Sequence, residues 1–396
     1  MHILFVWSYW QYPKVALEFL EKVRKRGHRV SVLLGDSEGK VDAKRFRGEI
    51  DFFFASKLDV LSRITGTPYP VFRDVSSCIR MVDPDVVHVN SHLFLGNYQA
   101  VRASRSLGIP CVVTVHGFSA KRSFVLDALQ DVYLRTVARL IFESASKVIC
   151  LTESDAASVA GIAGGYNKIV IIPNGVDTEL FKPSLNRESD LIAWVGRLVP
   201  EKGLGYLLRA MQEIVEECPN ARLVLVGDGI LKSELVRLTD ELGLNDHVKF
   251  LGVLDRVGVA EVLSKASVLA FPSLKEGLPF SVLEAMACGV PVVGSDISGV
   301  RDVVKRGETG LLVPPKDSRW LAESVVSLLK DEGLRRAMGE EARRTTIQSY
   351  SWSRVMQKLD DVYHDAIKKS SDQRISSSSE VWLPDEDLCR DSSDSN

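Results

Sequence analysis

The sequence predicts an α/β protein of two doubly wound, Rossmann-like domains, and three observations carry that prediction. The chain has 396 residues, more than one ordinary hydrophobic core organises and about right for two. Short, β-branched, continuously apolar segments alternate with amphipathic ones almost throughout. Strands of that kind suit a parallel sheet buried on both faces. The alternation starts afresh after the Pro173-Asn174-Gly175 turn signal and a polar stretch that follows it.

In chain order, the first half offers strands at 2–7, 29–34, 86–89, 111–115, 147–151 and 169–172, with helical patterns such as 15–25 and 97–107 between them. The second half offers strands at 191–195, 222–226, 248–251, 268–271, 290–293 and 310–313. Its helical patterns include 204–217, 230–242, 281–287 and 320–329. This gives an N-terminal domain over residues 1–175 and a C-terminal domain over 176–350. A helical stretch at 352–369 is expected to pack back on the first domain. Residues 370–396, rich in Ser and Asp with seven acids against two arginines, read as a disordered tail.

A chain that is 45% hydrophobic and 26% charged has the balance of a soluble globular protein. No apolar run approaches the roughly 20 residues that span a bilayer. The opening MHILFVWSYW lacks a basic leader and reads as a first strand rather than a signal peptide. Cys78, Cys111, Cys150, Cys218, Cys288 and Cys389 form no CxxC pair and read as reduced thiols of a cytoplasmic protein. Residues 1–175 hold 22 Lys and Arg against 16 Asp and Glu, which leaves an anionic partner or membrane surface open beside ordinary surface charge. Lys121-Arg122 ahead of Phe124-Val125-Leu126 reads as a helix start, with peripheral contact at an inner membrane face as the alternative. No nucleic-acid partner is expected.

The most informative segment is EGLPFSVLEAMACG, residues 276–289. Gly277 permits close backbone approach, and a helix starting near Phe280 offers free N–H groups and a positive dipole end, which together make a phosphate-sized anion site. Glu276 lies in the loop before that site and Glu284 about one turn into the helix. Two flanking carboxylates suit a ligand with hydroxyls on both sides of its phosphates; a capped amphipathic helix explains the segment equally well. The second segment is VGRLVPEKGLG, residues 195–205. Gly196 and Arg197 follow a strand, and Lys202-Gly203 come five residues later, at the edge where open α/β sheets bind ligands. Arg197 forks onto phosphate oxygens and Lys202 adds a compact charge, a pair able to neutralise a departing diphosphate without metal. Gly227, in Val226-Gly227-Asp228-Gly229, and the turn at Gly252 sit at the same edge as weaker signals.

In the first half His116-Gly117 ends a strand and points at the inter-domain space, where the imidazole would bond a sugar hydroxyl or developing charge. A satisfied core histidine is the ordinary alternative. His88, Asn90 and His92 follow the preceding strand. Asp83-Pro84-Asp85 precedes a strand and so reads as a turn rather than a metal site. No zinc spacing, GxGxxG after the first strand, or GxxxxGK[ST] loop is present.

TVHG, PNGVD, GRLVPEKG, VGDG and EGLPFSVLEAMACGVPVV, in this order, resemble glycosyltransferase family 4, retaining enzymes of the GT-B fold also called glycosyl transferases group 1. The resemblance covers roughly residues 1–369 and is most specific at 276–293. It implies two Rossmann-like domains facing a central cleft and transfer of a hexose-type sugar from a UDP- or GDP-sugar, with retention, to a lipid, glycan or small-molecule acceptor. It implies no metal and no cofactor. Arg197 and Lys202 would bind the diphosphate, Glu276 the donor sugar and Glu284 the ribose. The backbone of Gly277, Leu278, Pro279, Phe280 and Ser281 would meet sugar and phosphate, His116 would line the sugar site, and the segment around Val253 would border the base. One departure stands out: the family's Gly-rich first loop is replaced by Trp7-Ser8-Tyr9-Trp10-Gln11-Tyr12-Pro13, which points to an acceptor pocket lined by aromatics. The alternative functions are a sugar-nucleotide epimerase or a phosphorylase-like enzyme of the same fold, or a non-catalytic sugar-nucleotide-binding subunit.

Overall fold

The structure, a computed structural model, describes residues 1–8, 13–35, 49–55, 57–59, 70–117 and 131–379. Tyr9 to Tyr12, the Lys121–Leu126 patch and residues 380–396 of the acidic tail lie outside the described residues.

Two parallel sheets organise the chain. The first contains β1 (His2–Trp7), β2 (Arg29–Leu34) and β3 (Asp51–Phe54). A small antiparallel pair follows, β4 (Lys57–Asp59) with β5 (Pro70–Phe72). The first sheet then continues with β6 (Val86–Asn90), β7 (Cys111–Val115), β8 (Lys147–Cys150) and β9 (Ile169–Ile171), in the order β3-β2-β1-β6-β7-β8-β9. The second holds β10 (Leu191–Val195), β11 (Arg222–Val226), β12 (Val248–Gly252), β13 (Val268–Phe271), β14 (Val292–Ser295) and β15 (Gly310–Val313), in the order β12-β11-β10-β13-β14-β15. In each sheet the order reverses beside the first strand, between β1 and β6 and between β10 and β13. Those are the points where the strand ends open a crevice.

The apolar strands are buried on both faces, as parallel sheets require. Leu4 and Val6 of β1 join one core, with Val87, Val89, Val113 and Val115. Ile3, Phe5 and Trp7 join the core on the opposite face, which Trp352, Val355, Leu359 and Tyr363 complete. The C-terminal helix, Trp352–Ser379, therefore covers the first domain's sheet. It runs past Lys369, where the sequence reading ended it. No Gly or Pro interrupts it before Pro384, and Ser370 and Ser371 return their hydroxyls to the carbonyls of Gly108 and Ile367 at 3.2 and 3.1 Å.

The chain crosses between the domains twice at one place. Val176 N–H donates to Tyr350 O at 2.8 Å and Trp352 N–H to Val176 O at 3.2 Å. A Cβ on Gly175 would lie 2.2 Å from the Trp352 ring, so glycine is required where the two crossings meet.

Three further differences from the sequence reading have local causes. β14 starts at Val292 rather than at 290, because Gly289, at φ +68°, ends the preceding helix and Val290 N–H still donates to Ala285 O at 3.0 Å. β3 is half-buried and pairs only with β2, so it lacks the continuous apolar pattern of a central strand. The Val75–Val82 helix, also missed, ends at Asp83 in the left-handed region, and Asp85 accepts from His2 N–H at 2.7 Å. Asp83-Pro84-Asp85 is thus a helix-to-strand turn.

Candidate active site

A cavity of about 1450 Å³ lies between the two switch points. From the first domain it is lined by Trp7 at the end of β1, by Asn90 and Ser91 after β6, and by His116 and Gly117 after β7. From the second domain come Gly196, Arg197, Glu201 and Lys202 after β10, the loop Leu274–Pro279 after β13, and Phe280, Ser281 and Glu284 of the next helix. Ile297 and Ser298 close the wall after β14.

The loops are held by backbone contact. Gly203 has φ +65°, and a Cβ there would sit 2.2 Å from Pro272 O. It caps the short 3₁₀ turn Pro200–Lys202, which swings Lys202 toward the β13 loop. Lys202 Nζ then lies 2.5 Å from Glu276 Oε1, with the two side chains only 15% and 10% exposed. Without a ligand, these two residues satisfy each other. Arg197 is far more open, with a 3.7 Å ion pair to Glu201, and its fork is available to an anion in the cleft.

The Phe280–Ala287 helix starts at Pro279 with no side-chain cap. Its first N–H groups therefore face the cavity with the positive end of the helix. Its other end is fixed by arginines: Arg187 donates to Cys288 O and Gly289 O, both at 2.8 Å, and Arg343 to Ala287 O. One turn in, Glu284 is nearly enclosed. Burial pushes its carboxyl up to about 7, and Arg256, with Nη2 at 3.6 Å from Oε1, pulls it back.

His116 faces the cavity opening yet is walled by both domains, and this crowding lowers its pKa to about 4. Its Nε2 bonds Asn90 Oδ1. An amide oxygen only accepts, so the proton is on Nε2, and in the neutral ring that the lowered pKa favours Nδ1 is left as an acceptor. His88, by contrast, is spent on structure. Its nitrogens meet Tyr363 Oη at 2.5 Å and Thr114 Oγ1 at 2.7 Å, and burial lowers its pKa to about 3. His92 is fully buried against Phe142.

The structure brings together His116, Gly196, Arg197, Lys202, Glu276, Gly277, Leu278, Pro279, Phe280, Ser281 and Glu284. It leaves Gly227 and Val253 outside the cavity lining. Gly227 (φ +134°) lies against Gly196, where a Cβ would come 1.8 Å from Gly196 O, so it supports that loop from behind. Val253 is 72% exposed just past β12. Three contributors escaped the sequence reading. Asn174 donates to Leu278 O at 3.0 Å across the domains, although its Pro-Asn-Gly context signalled only a turn. Arg256 and Ser298 stand at helix starts, where the adjacent Gly258 and Gly299 were not read as marking a site. Among the described residues no group of three or more His, Cys, Asp or Glu is placed to hold a metal ion, and no helix is long and apolar enough to cross a membrane.

Residues 176–345 match the family described as Glycosyl transferases group 1, and residues 13–180 match Glycosyltransferase Family 4. An Escherichia coli UDP-Gal:alpha-D-GlcNAc-diphosphoundecaprenol alpha-1,3-galactosyltransferase is 31% identical over 308 residues, covering 72% of this chain and 76% of that one. The chain belongs to glycosyltransferase family 4. Another relative of this family 4 chain is D-inositol 3-phosphate glycosyltransferase of Kribbella flavida, 29% identical over 298 residues and 69% of each chain. Among solved structures, HepE of Anabaena in complex with UDP superposes with a TM-score of 0.75 at 21% identity, over 91% of this chain and 99% of that one. The two facing sheets are accordingly a GT-B architecture.

Proposed function

We propose that this glycosyltransferase moves a hexose-type sugar from a nucleoside-diphosphate donor to an acceptor, with retention and without metal. The observation that carries the reading is the convergence of Arg197, Lys202, an uncapped helix N-terminus, Glu276 and Glu284 on one wall of the inter-domain cavity. A diphosphate fits between the two cations and the helix end. Glu276 is then positioned for sugar hydroxyls and Glu284 for the ribose. UDP in HepE and the UDP-galactose donor named for the Escherichia coli relative support a nucleotide-sugar.

When the donor arrives, its diphosphate competes with Glu276 for Lys202. Exchanging a carboxylate for a diphosphate frees Glu276 to accept from the sugar. As the glycosidic bond breaks, negative charge grows on the leaving phosphate, and Arg197 and Lys202 meet it in place of a metal ion. Neutral His116, with Nδ1 as acceptor, takes a hydroxyl of the donor sugar. Retention follows if the acceptor attacks from the leaving-group face and the departing phosphate accepts its proton. Trp7, Phe19 and Phe94 on the opposite wall supply aromatic faces for a sugar or cyclitol ring of the acceptor.

A thermal-shift panel of UDP- and GDP-sugars, with and without EDTA, tests donor and metal together. One donor should stabilise equally in both conditions; stabilisation that EDTA abolishes overturns metal independence. Lys202→Ala is expected to lower turnover on the order of 10²–10³-fold at saturating donor, the range for losing a charge-stabilising donor. Near-normal turnover would remove Lys202 from the diphosphate site. The anomeric configuration of the product, read by NMR, decides retention.

A further inference from the structure

Arg256 opens the Arg256–Lys265 helix of the donor domain, and its guanidinium lies between carboxylates of different domains. Nη2 is 3.6 Å from Glu284 Oε1, while Nη1 pairs with Glu18 Oε2 on the Pro13–Lys25 helix of the first domain. The second Glu18 oxygen accepts from Trp352 Nε1 at 3.1 Å. Trp352 in turn packs on Gly175, where the chain crosses between the domains. The Arg256 guanidinium carbon also sits 5.2 Å from the centre of the Phe181 ring, which holds it in place. One unbroken set of contacts thus runs from the cavity carboxylate to the inter-domain crossing.

We propose that Arg256 is a positioning residue that keeps Glu284 a hydrogen-bond acceptor for the donor ribose, and that Glu18 of the acceptor domain regulates it by competing for the same guanidinium. The proposal rests on the donor reading above. A carboxylate accepts from two ribose hydroxyls, whereas a protonated carboxyl spends one oxygen as a donor. The charge facing Glu284 therefore matters. β13 and β14, packed against its helix, carry no titratable side chain in their ranges. From the Glu332–Ser349 helix, Arg343 is engaged with the carbonyls of Phe181 and Ala287, and the buried Arg335 with those of Leu328 and Leu329. Arg187 is engaged with Cys288 O and Gly289 O, and Cys288, whose thiol burial pushes up to about 12, is neutral. Arg256 alone among these forms an ion pair with Glu284. A domain rotation that tightens Glu18 on Arg256 weakens the ribose site, and one that releases Glu18 strengthens it.

The test is the affinity of the full-length protein for UDP and GDP across pH 5.5–8.5, in wild type, Arg256→Met, Arg256→Lys and Glu18→Gln. Wild-type affinity should fall as the pH drops through about 7, where Glu284 takes up a proton. In Arg256→Met that midpoint should move up by about one pH unit, the scale of a single ion-pair partner. In Glu18→Gln it should move down, because Arg256 is left wholly to Glu284, and Arg256→Lys should stay near wild type. The opposite directions separate positioning from structure: a plain inter-domain salt bridge would weaken alike when either partner is removed. Shifts in the same direction, or no shift, overturn the proposal while wild type still binds nucleotide. If wild type binds neither nucleotide, the donor reading falls and this proposal falls with it. Should Arg256→Met fail to fold, Glu18→Gln, which leaves every contact within the donor domain intact, decides by the sign of its shift.

Discussion

The two domains share a strand order but build their halves of the cleft differently. In the C-terminal domain, loops press backbone on backbone. A Cβ on Gly203, Gly227 or Gly299 would lie 2.2, 1.8 and 2.1 Å from the carbonyl oxygens of Pro272, Gly196 and Gly277. In the N-terminal domain the corresponding edge is held by side chains. His116 bonds Asn90, Ser8 Oγ donates to Asn97 Oδ1 at 2.7 Å, and Asn97 Nδ2 donates to Ser91 O at 2.7 Å. Gly117 there has φ +87° but no crowding, its nearest neighbour being Gly277 Cα in ordinary van der Waals contact at 3.7 Å. Backbone crowding fixes a pocket to a fraction of an ångström and demands glycine at set positions. A side-chain lattice permits other residues, and under the proposed function other acceptors.

The largest expected effect follows from breaking the crowded side. Gly227→Ala places a methyl group inside the Gly196 carbonyl and asks alanine to hold φ +134°. The two together should cost about 3 kcal/mol or more, because the Gly196 carbonyl is backbone and cannot rotate away. For a domain of this size that is a fall in Tm of roughly 6–12 °C. Gly196 and Arg197 would be displaced with it, so donor affinity should fall even where the protein still folds. A Tm within 2 °C of wild type would show that the loops are not locked as described.

This division also explains what the sequence disclosed. Arg197, Lys202, Glu276 and Glu284 were legible because the glycines around them are compulsory and the charges keep fixed spacings from strand ends. Both sheets were legible because central parallel strands are apolar on both faces. The edge strand Asp51–Phe54 was not, since its half-buried pattern matches neither a solvated nor a fully buried strand. Gly227 read as a weak turn signal, either close to a ligand or a simple chain reversal, and its role as the backing of Gly196 depends on two loops meeting across 31 residues. The Glu18–Arg256–Glu284 line was invisible for a stronger reason: it joins Glu18 to residues more than 200 positions away, and neither Glu18 nor Arg256 lies in a pattern that marks its charge for pairing.

A smaller effect separates the domains by pH. His88 has a folded-state pKa of about 3 against an ordinary 6.5, because burial penalises its charge. Its contribution is fully present above pH 6.5 and is lost as the pH falls toward 3, since the unfolded chain binds a proton that the folded one refuses. Glu284 has the opposite sign. With a pKa raised to about 7, it favours the folded state below pH 4.5, and that advantage is lost as the pH rises through 7. Hydrogen exchange followed by domain should therefore show the N-terminal domain loosening first between pH 6.5 and 4. His88→Asn should flatten that acid slope by about one proton. An acid slope carried mainly by peptides of the C-terminal domain would contradict the assignment.

The smallest effect comes from adding the same methyl group to the open side. Gly117→Ala meets the positive-φ penalty alone, about 1 kcal/mol, because nothing stands within bonding distance of the new carbon. The Tm should drop by roughly 2–4 °C, a fraction of the Gly227→Ala loss. Turnover should suffer more than stability. The methyl group projects toward Gly277, in the gap where the two domains approach each other beside the proposed sugar site. A transfer rate that falls in proportion to the lost stability, and no further, would mean that this gap does not narrow during catalysis. A rate that falls by ten-fold or more in a protein that remains folded would locate the closing contact between Gly117 and Gly277.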